Sequence, residues 1–204
     1  MFENALIWIL ILPGMLLGGM AQSWVKSNLM KFSQVPLRRG LTGAQVARAI
    51  LDARGLHEVG VAPAKGVLSD HYDPRAKVLR LSEAVFGVRS VAAAGIAAHE
   101  AGHAIQDAED YLPLEARSAI VPLVKAGATA APLVFFGGLM IGSQPIMWIG
   151  ALMFGVSSLF ALITLPVEFD ASRRALVHLE KMGILTTDTE MDGARQVLRA
   201  AAWT

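Results

Sequence analysis

The apolar positions of the chain gather into three long stretches, with polar segments between the first and second and after the third. The stretches run from about residue 4 to 25, from 118 to 142 and from 145 to 167. Each comes close to the 20 or so residues that a helix rising about 1.5 Å per residue needs to cross a hydrocarbon core. The only formal charge inside them is Lys125, near the start of the second stretch, from where its stem can carry the ammonium out to the headgroups. Ser143 and Gln144 alone separate the second stretch from the third, which predicts a helical hairpin.

In the first polar segment, Thr42-Gly43-Ala44-Gln45 has the spacing of a capping box, and Val46, Ala49, Ile50 and Ala53 follow at helical intervals. A short amphipathic helix should end near Gly55. Apolar alternations at Val59–Val61 and Val78–Leu81 flank the turn-rich run Ser69-Asp70-His71-Tyr72-Asp73-Pro74, predicting a small antiparallel sheet or hairpin. Helical patterning returns at Ser82, and Ser90–Gln106 is an alanine-rich helix interrupted by Gly95 and Gly102. After the third stretch, Glu168 to Met182 reads as a further helix, with Leu176, Leu179 and Met182 near one face and Gly183 as its stop.

Composition supports a membrane protein, since 54% of the 204 residues are hydrophobic and only 17% are charged. The net charge of +1 leaves no basic field for nucleic acid, which is not expected as a partner. With no cysteine, disulfides, thiolate metal sites and cysteine nucleophiles are excluded, and His, Asp and Glu remain as metal ligands. The first stretch has no basic start and no small-residue cleavage site, so it reads as a retained anchor, with Gly14 and Gly18 as a small pair for close helix contact. Lys26, Lys31, Arg38 and Arg39 follow it, which by the positive-inside rule turns its C-terminal end to the cytoplasm. The expected organisation is a transmembrane helix over 1–25, a cytoplasmic lobe over 26–117, a transmembrane hairpin over 118–167 and a cytoplasmic helical segment over 168–204.

The chemistry is concentrated in His99-Glu100-Ala101-Gly102-His103, an H-E-x-x-H pattern inside the alanine-rich helix. Four residues correspond to about 400° of rotation, so both imidazoles leave one face a turn apart and can reach one zinc ion. Glu100, rotated by about 100°, stands beside the metal as a general base rather than a ligand. The competing reading is an exposed helix with two surface histidines, which the apolar surroundings disfavour. Catalytic zinc needs a third protein ligand. The extended metzincin form is excluded because Gln106 and Glu109 stand where Gly and His would be required. Glu168, at the exit of the third stretch behind Pro166, is the leading candidate, with His71, Asp170 and Asp107 as alternatives.

The runs Gly66-Val67-Leu68-Ser69-Asp70-His71-Tyr72-Asp73-Pro74, Leu79-Arg80-Leu81-Ser82 and Ala97-Ala98-His99-Glu100-Ala101-Gly102-His103-Ala104-Ile105-Gln106 resemble the YugP-type neutral zinc metallopeptidases of bacterial membranes. Leu165-Pro166-Val167-Glu168-Phe169 and Gly193-Ala194-Arg195 extend the resemblance over nearly the whole chain. It implies a mainly α membrane protein of the bacterial cytoplasmic membrane, its transmembrane helices carrying a small α+β zincin-like cytoplasmic lobe. It implies a gluzincin-like endopeptidase in which His99, His103 and Glu168 bind Zn2+ and Glu100 is the base. Members of the family usually continue beyond Ala200-Ala201-Ala202 into another hydrophobic helix, where this chain stops at Thr204.

The expected partners are the lipid bilayer and peptide or protein substrates, membrane proteins among them. His71, Tyr72 and His178 are candidates for substrate or oxyanion contacts. Asp70 and Asp73 read as turn residues, and Val78–Ser82 as an edge strand for an extended substrate. The alternative function is a non-catalytic zinc-stabilised scaffold. A site inside the bilayer is disfavoured by Arg80, Glu83, Arg89, Asp107, Glu109 and Asp110 around the motif.

Overall fold

The computed structural model describes residues 2–203, apart from the side chains of 2–8, 10, 11, 13, 122, 123, 125 and 161–163. The expectation for Lys125, and much of that for the stretch 4–25, therefore lies outside the described residues.

Seven helices and one three-stranded sheet make up the described chain. They run α1 (Phe2–Ser33), α2 (Gly43–Ala53), β1 (Gly60–Ala64), β2 (His71–Asp73), β3 (Val78–Ser82), α3 (Glu83–Phe86), α4 (Val91–Ala108), α5 (Leu112–Met140), α6 (Gln144–Lys181) and α7 (Asp188–Ala201). The start of α2 is set by the capping box, in which Thr42 accepts from the Gln45 backbone and the Gln45 side chain accepts from Thr42.

The sheet corrects the expected antiparallel pairing. β1 and β3 are parallel, with Gly60 opposite Val78 and Ala64 opposite Ser82, while β2 pairs antiparallel with β3 on its other side. The run read as a turn contains the third strand, and two reversals of direction leave the first and last strands parallel. β3 is consequently central and not an edge; β2 is the edge strand beside α4. Asp70 accepts from both the backbone and the hydroxyl of Ser82, and Asp73 accepts from the N–H groups of Arg75 and Ala76. Asp73 thus closes the local turn, whereas Asp70 clasps the end of β3 twelve residues on.

Helix α4 is the centre of the lobe, and every residue from Val91 to Gln106 is buried. Its alanines let α2, α6 and α7 approach it on several sides in one apolar core. Gly102 is required there, since a Cβ at this position would lie 2.6 Å from the Ala171 carbonyl oxygen of α6. The link between α1 and α2 is tied to α7 by Glu190, whose buried carboxylate accepts from the backbones of Arg38, Thr186 and Thr187.

A second, smaller core of Phe135, Met147 and Ala151 joins α5 to α6. The two backbones touch at Gly150, where a Cβ would lie 2.6 Å from the Phe135 nitrogen. The third stretch and the helix expected after it prove to be one helix, because α6 runs unbroken through Pro166 to Lys181. A proline removes one ladder hydrogen bond without ending a helix that is held on both sides by packing. Among the described residues, α6 is long and apolar enough to cross a membrane by itself. The segments Leu112–Val121 and Ala126–Met140 of α5 make a second such helix when taken together across their 42° bend.

Candidate metal centre

One turn of α4 separates His99 from His103, and their rings meet edge to face with centroids 4.8 Å apart. Helix α6 brings Glu168 against them, with its Oε2 3.0 Å from His99 Nε2 and 3.3 Å from His103 Nε2. All three side chains are buried. Glu168 sits inside α6 and does not open the separate helix expected over Glu168 to Met182.

The other nitrogen of each imidazole decides what this convergence means. Ser172 donates its single hydroxyl proton to the Leu198 carbonyl, so it accepts from His99 Nδ1 at 3.0 Å. Gln106 directs its amide nitrogen at the Val167 carbonyl and at Asp170 Oδ2, both 2.9 Å away, so its oxygen accepts from His103 Nδ1 at 3.0 Å. With Nδ1 protonated on both rings, each neutral imidazole turns the lone pair of Nε2 toward Glu168. Three acceptors then face one another with no donor among them, an arrangement that needs a cation between them. In the absence of metal, protons serve. Burial works against a charged His103, but its hydrogen bond to Glu168 and the carboxylate charge outweigh this and hold its pKa above the ordinary imidazole value. Burial likewise opposes ionisation of Glu168, yet the hydrogen bonds from His103 and His99 keep it well below the usual carboxylate range.

Glu100 stands next to the cluster without joining it. Its Oε2 accepts from the Tyr72 backbone N–H at 3.1 Å, so the edge strand β2 and the motif helix meet at this carboxylate. Arg117 of α5 places Nη2 2.7 Å from Glu168 Oε1.

The remaining candidates are engaged elsewhere. Asp107 accepts from the Tyr72 phenol at 2.7 Å and from Lys77 Nζ at 2.5 Å. Asp170 is held by Gln106, Arg173 and Arg174. His71 is exposed on β2 and hydrogen-bonded through Nδ1 to the Ser69 carbonyl. Tyr72 reaches the site through its backbone, while burial and Asp107 raise its phenol far above its ordinary pKa. His178 lies ten residues beyond Glu168 on the same helix, about 15 Å along the axis. Burial, and then the charges of Arg54, Lys181 and Arg174, depress its pKa.

Sequence reasoning missed Ser172, Gln106 and Arg117. Ser172 stands four residues after Glu168 and Gln106 three after His103, so helical spacing places each on its partner's face. Arg117 carries no such signal, because it reads as a charge flanking an apolar stretch.

Comparison with known proteins agrees with this centre. The sequence profile described as "Putative neutral zinc metallopeptidase" matches residues 7–204. The chain is 46% identical over 184 residues to "Putative membrane protease YugP" of Bacillus subtilis (strain 168), covering 90% of this chain and 81% of that protein. No solved structure matches it. The buried cluster of His99, His103 and Glu168 is compatible with a zinc site, and the chain belongs to the neutral zinc metallopeptidase family.

Proposed function

We propose that the protein is a membrane-embedded zinc-dependent endopeptidase, with His99, His103 and Glu168 as ligands and Glu100 as general base. The observation that carries this reading is the convergence of three donor-free acceptor atoms beside a fourth, non-ligating carboxylate. A scaffold zinc takes four protein ligands, whereas the group found among the described residues has three, leaving a position for chemistry.

Zinc held there supplies an acidified water and a Lewis acid for the scissile carbonyl. Glu100 accepts the proton of the attacking water and returns it to the leaving amine. Ser172 and Gln106 keep both imidazoles in the ligating tautomer, and the burial of the cluster strengthens every electrostatic contact within it. β2 is the sheet edge next to Glu100, whose carboxylate accepts from its Tyr72 N–H, so an extended substrate that adds there takes the place of this bond, and β2 replaces the β3 edge expected from sequence.

Membrane embedding is supported by the large apolar side chains that α5 and α6 leave uncovered, such as Leu133, Met140, Leu152 and Val156. The transmembrane parts are 1–25 and the hairpin over 118–167. The polar parts, 26–117 and 168–204, join on the cytoplasmic side around the metal.

Zinc per chain in detergent-purified protein tests the proposal. One zinc in the wild type and a clear loss in Glu168→Ala supports the three-ligand site. An empty wild type, or a variant that keeps its zinc, defeats it.

A further inference from the structure

We propose that Arg117 is a positioning residue of the metal centre, holding Glu168 to ligation through a single oxygen. The inference rests on the zinc-site reading above. Its basis is the division of labour between the two oxygens of one buried carboxylate. Glu168 Oε2 faces the two histidine Nε2 atoms at 3.0 and 3.3 Å, whereas Oε1 is 2.7 Å from Arg117 Nη2. The Glu168 side chain is only 4% exposed, so the guanidinium rather than water satisfies Oε1.

A carboxylate with both oxygens free can rotate and offer both to a metal, filling the position that a hydrolytic site must keep open. The Arg117 guanidinium prevents this through its ion pair, which holds Oε1 away from the space between the two histidines. The other arginines near this face of α6 are committed elsewhere, Arg173 to Asp170 and Arg174 to Asp170 and Glu109. Placement follows from the chain path. The three-residue link from α4 to α5 turns at Asp110, with φ +51°, and leads straight into the first turns of α5. Leu114, one turn before Arg117, is buried and anchors that face. The 42° bend separates this segment, Leu112–Val121, from Ala126–Met140, so Arg117 belongs to the lobe side of the helix.

Cobalt(II) in place of zinc tests the inference in the full chain purified in detergent. Two neutral variants, Arg117→Met and Arg117→Gln, are compared with the wild type, with circular dichroism as the folding control. Each folded variant is expected to bind one cobalt per chain with weaker visible bands than the wild type, because a second Glu168 oxygen raises the coordination number. Turnover of a casein substrate should fall by about 10- to 100-fold in the zinc form, the usual effect of losing a partner of a ligand. Bands superimposable on those of the wild type overturn the inference, and so does loss of the metal from a folded variant. A wild type that binds no cobalt defeats the metal reading itself, whereas bound metal with unchanged bands defeats only the role of Arg117. If neither of these variants folds, Arg117→Ala serves, with the same weakening of the bands expected because Oε1 loses its ion pair, and an unchanged spectrum overturns the inference.

Discussion

The hydrogen bond between His103 and Glu168 lies in the space proposed for zinc, and on that reading metal affinity should depend on pH. The proton on His103 is held more tightly than on a free imidazole, so zinc has to displace it. Affinity measured by chelator competition is expected to weaken as pH falls, with the weakening already under way above the ordinary imidazole value of 6.5. A flat profile from pH 8 to 6 contradicts this. In the metal-free chain the signs differ between the partners. The raised pKa of His103 gives stability that is present below 6.5 and lost as pH rises through its folded value. The lowered pKa of Glu168 gives stability that is present above 4.5 and lost as pH falls. Two substitutions separate ligation from chemistry. Glu100→Gln is expected to keep its zinc and lose about 10²- to 10⁴-fold in turnover, read by metal content and peptidase rate side by side. Ser172→Ala is expected to bind zinc about 10- to 100-fold more weakly, with undiminished affinity as the contrary result. The motif histidines and Glu100 were legible from spacing alone, because four residues on a helix bring two side chains to one face. Glu168 was legible as the leading candidate from its place at the exit of the third apolar stretch, but nothing local separated it from His71, Asp170 and Asp107 before their partners were known.

Among the elements, α4 was the easiest to read and the sheet the hardest. A helix rich in alanine announces itself within one stretch of chain, and the structure adds that the Ser90 hydroxyl caps it by accepting from the Ala93 N–H. The closeness of its packing shows at Gly102. Gly102→Ala should destabilise the fold by about 1–3 kcal/mol, because the added carbon meets the α6 backbone rather than a side chain that can turn aside. Thermal unfolding of the purified variant checks this, and an unchanged midpoint counts against it. β2 was hidden because its residues are also turn formers, and its strand character comes from pairing with β3 and from Asp70 closing on Ser82. The separate helix expected from Glu168 proved continuous with the third stretch for a related reason. Proline is a local stop signal, but α6 is held across it by α4 on one side of the residue and α5 on the other.

At the scale of the whole molecule, the apolar side chains exposed on α5 and α6 and the polar surroundings of the candidate metal cluster are what the proposed membrane embedding rests on. The absence of cysteine makes the orientation directly measurable. A single cysteine at Ser143, on the hairpin tip, should react with an impermeant maleimide in intact cells, whereas one at Lys181 should react only after the membrane is opened. The reverse pattern would turn the metal centre outward. By itself the sequence determined the apolar stretches, the motif helix with His99, Glu100 and His103, the capped start of α2 and the absence of thiol chemistry, all of which depend on residues within a few turns of one another. Tertiary structure alone decided which distant acid faces the histidines, that β1 runs parallel to β3, that α6 continues through Pro166, and that Ser172, Gln106 and Arg117 lie against His99, His103 and Glu168. Those outcomes depend on contacts between segments remote in the chain, whose energies are set by close packing and by the pairing of buried polar atoms.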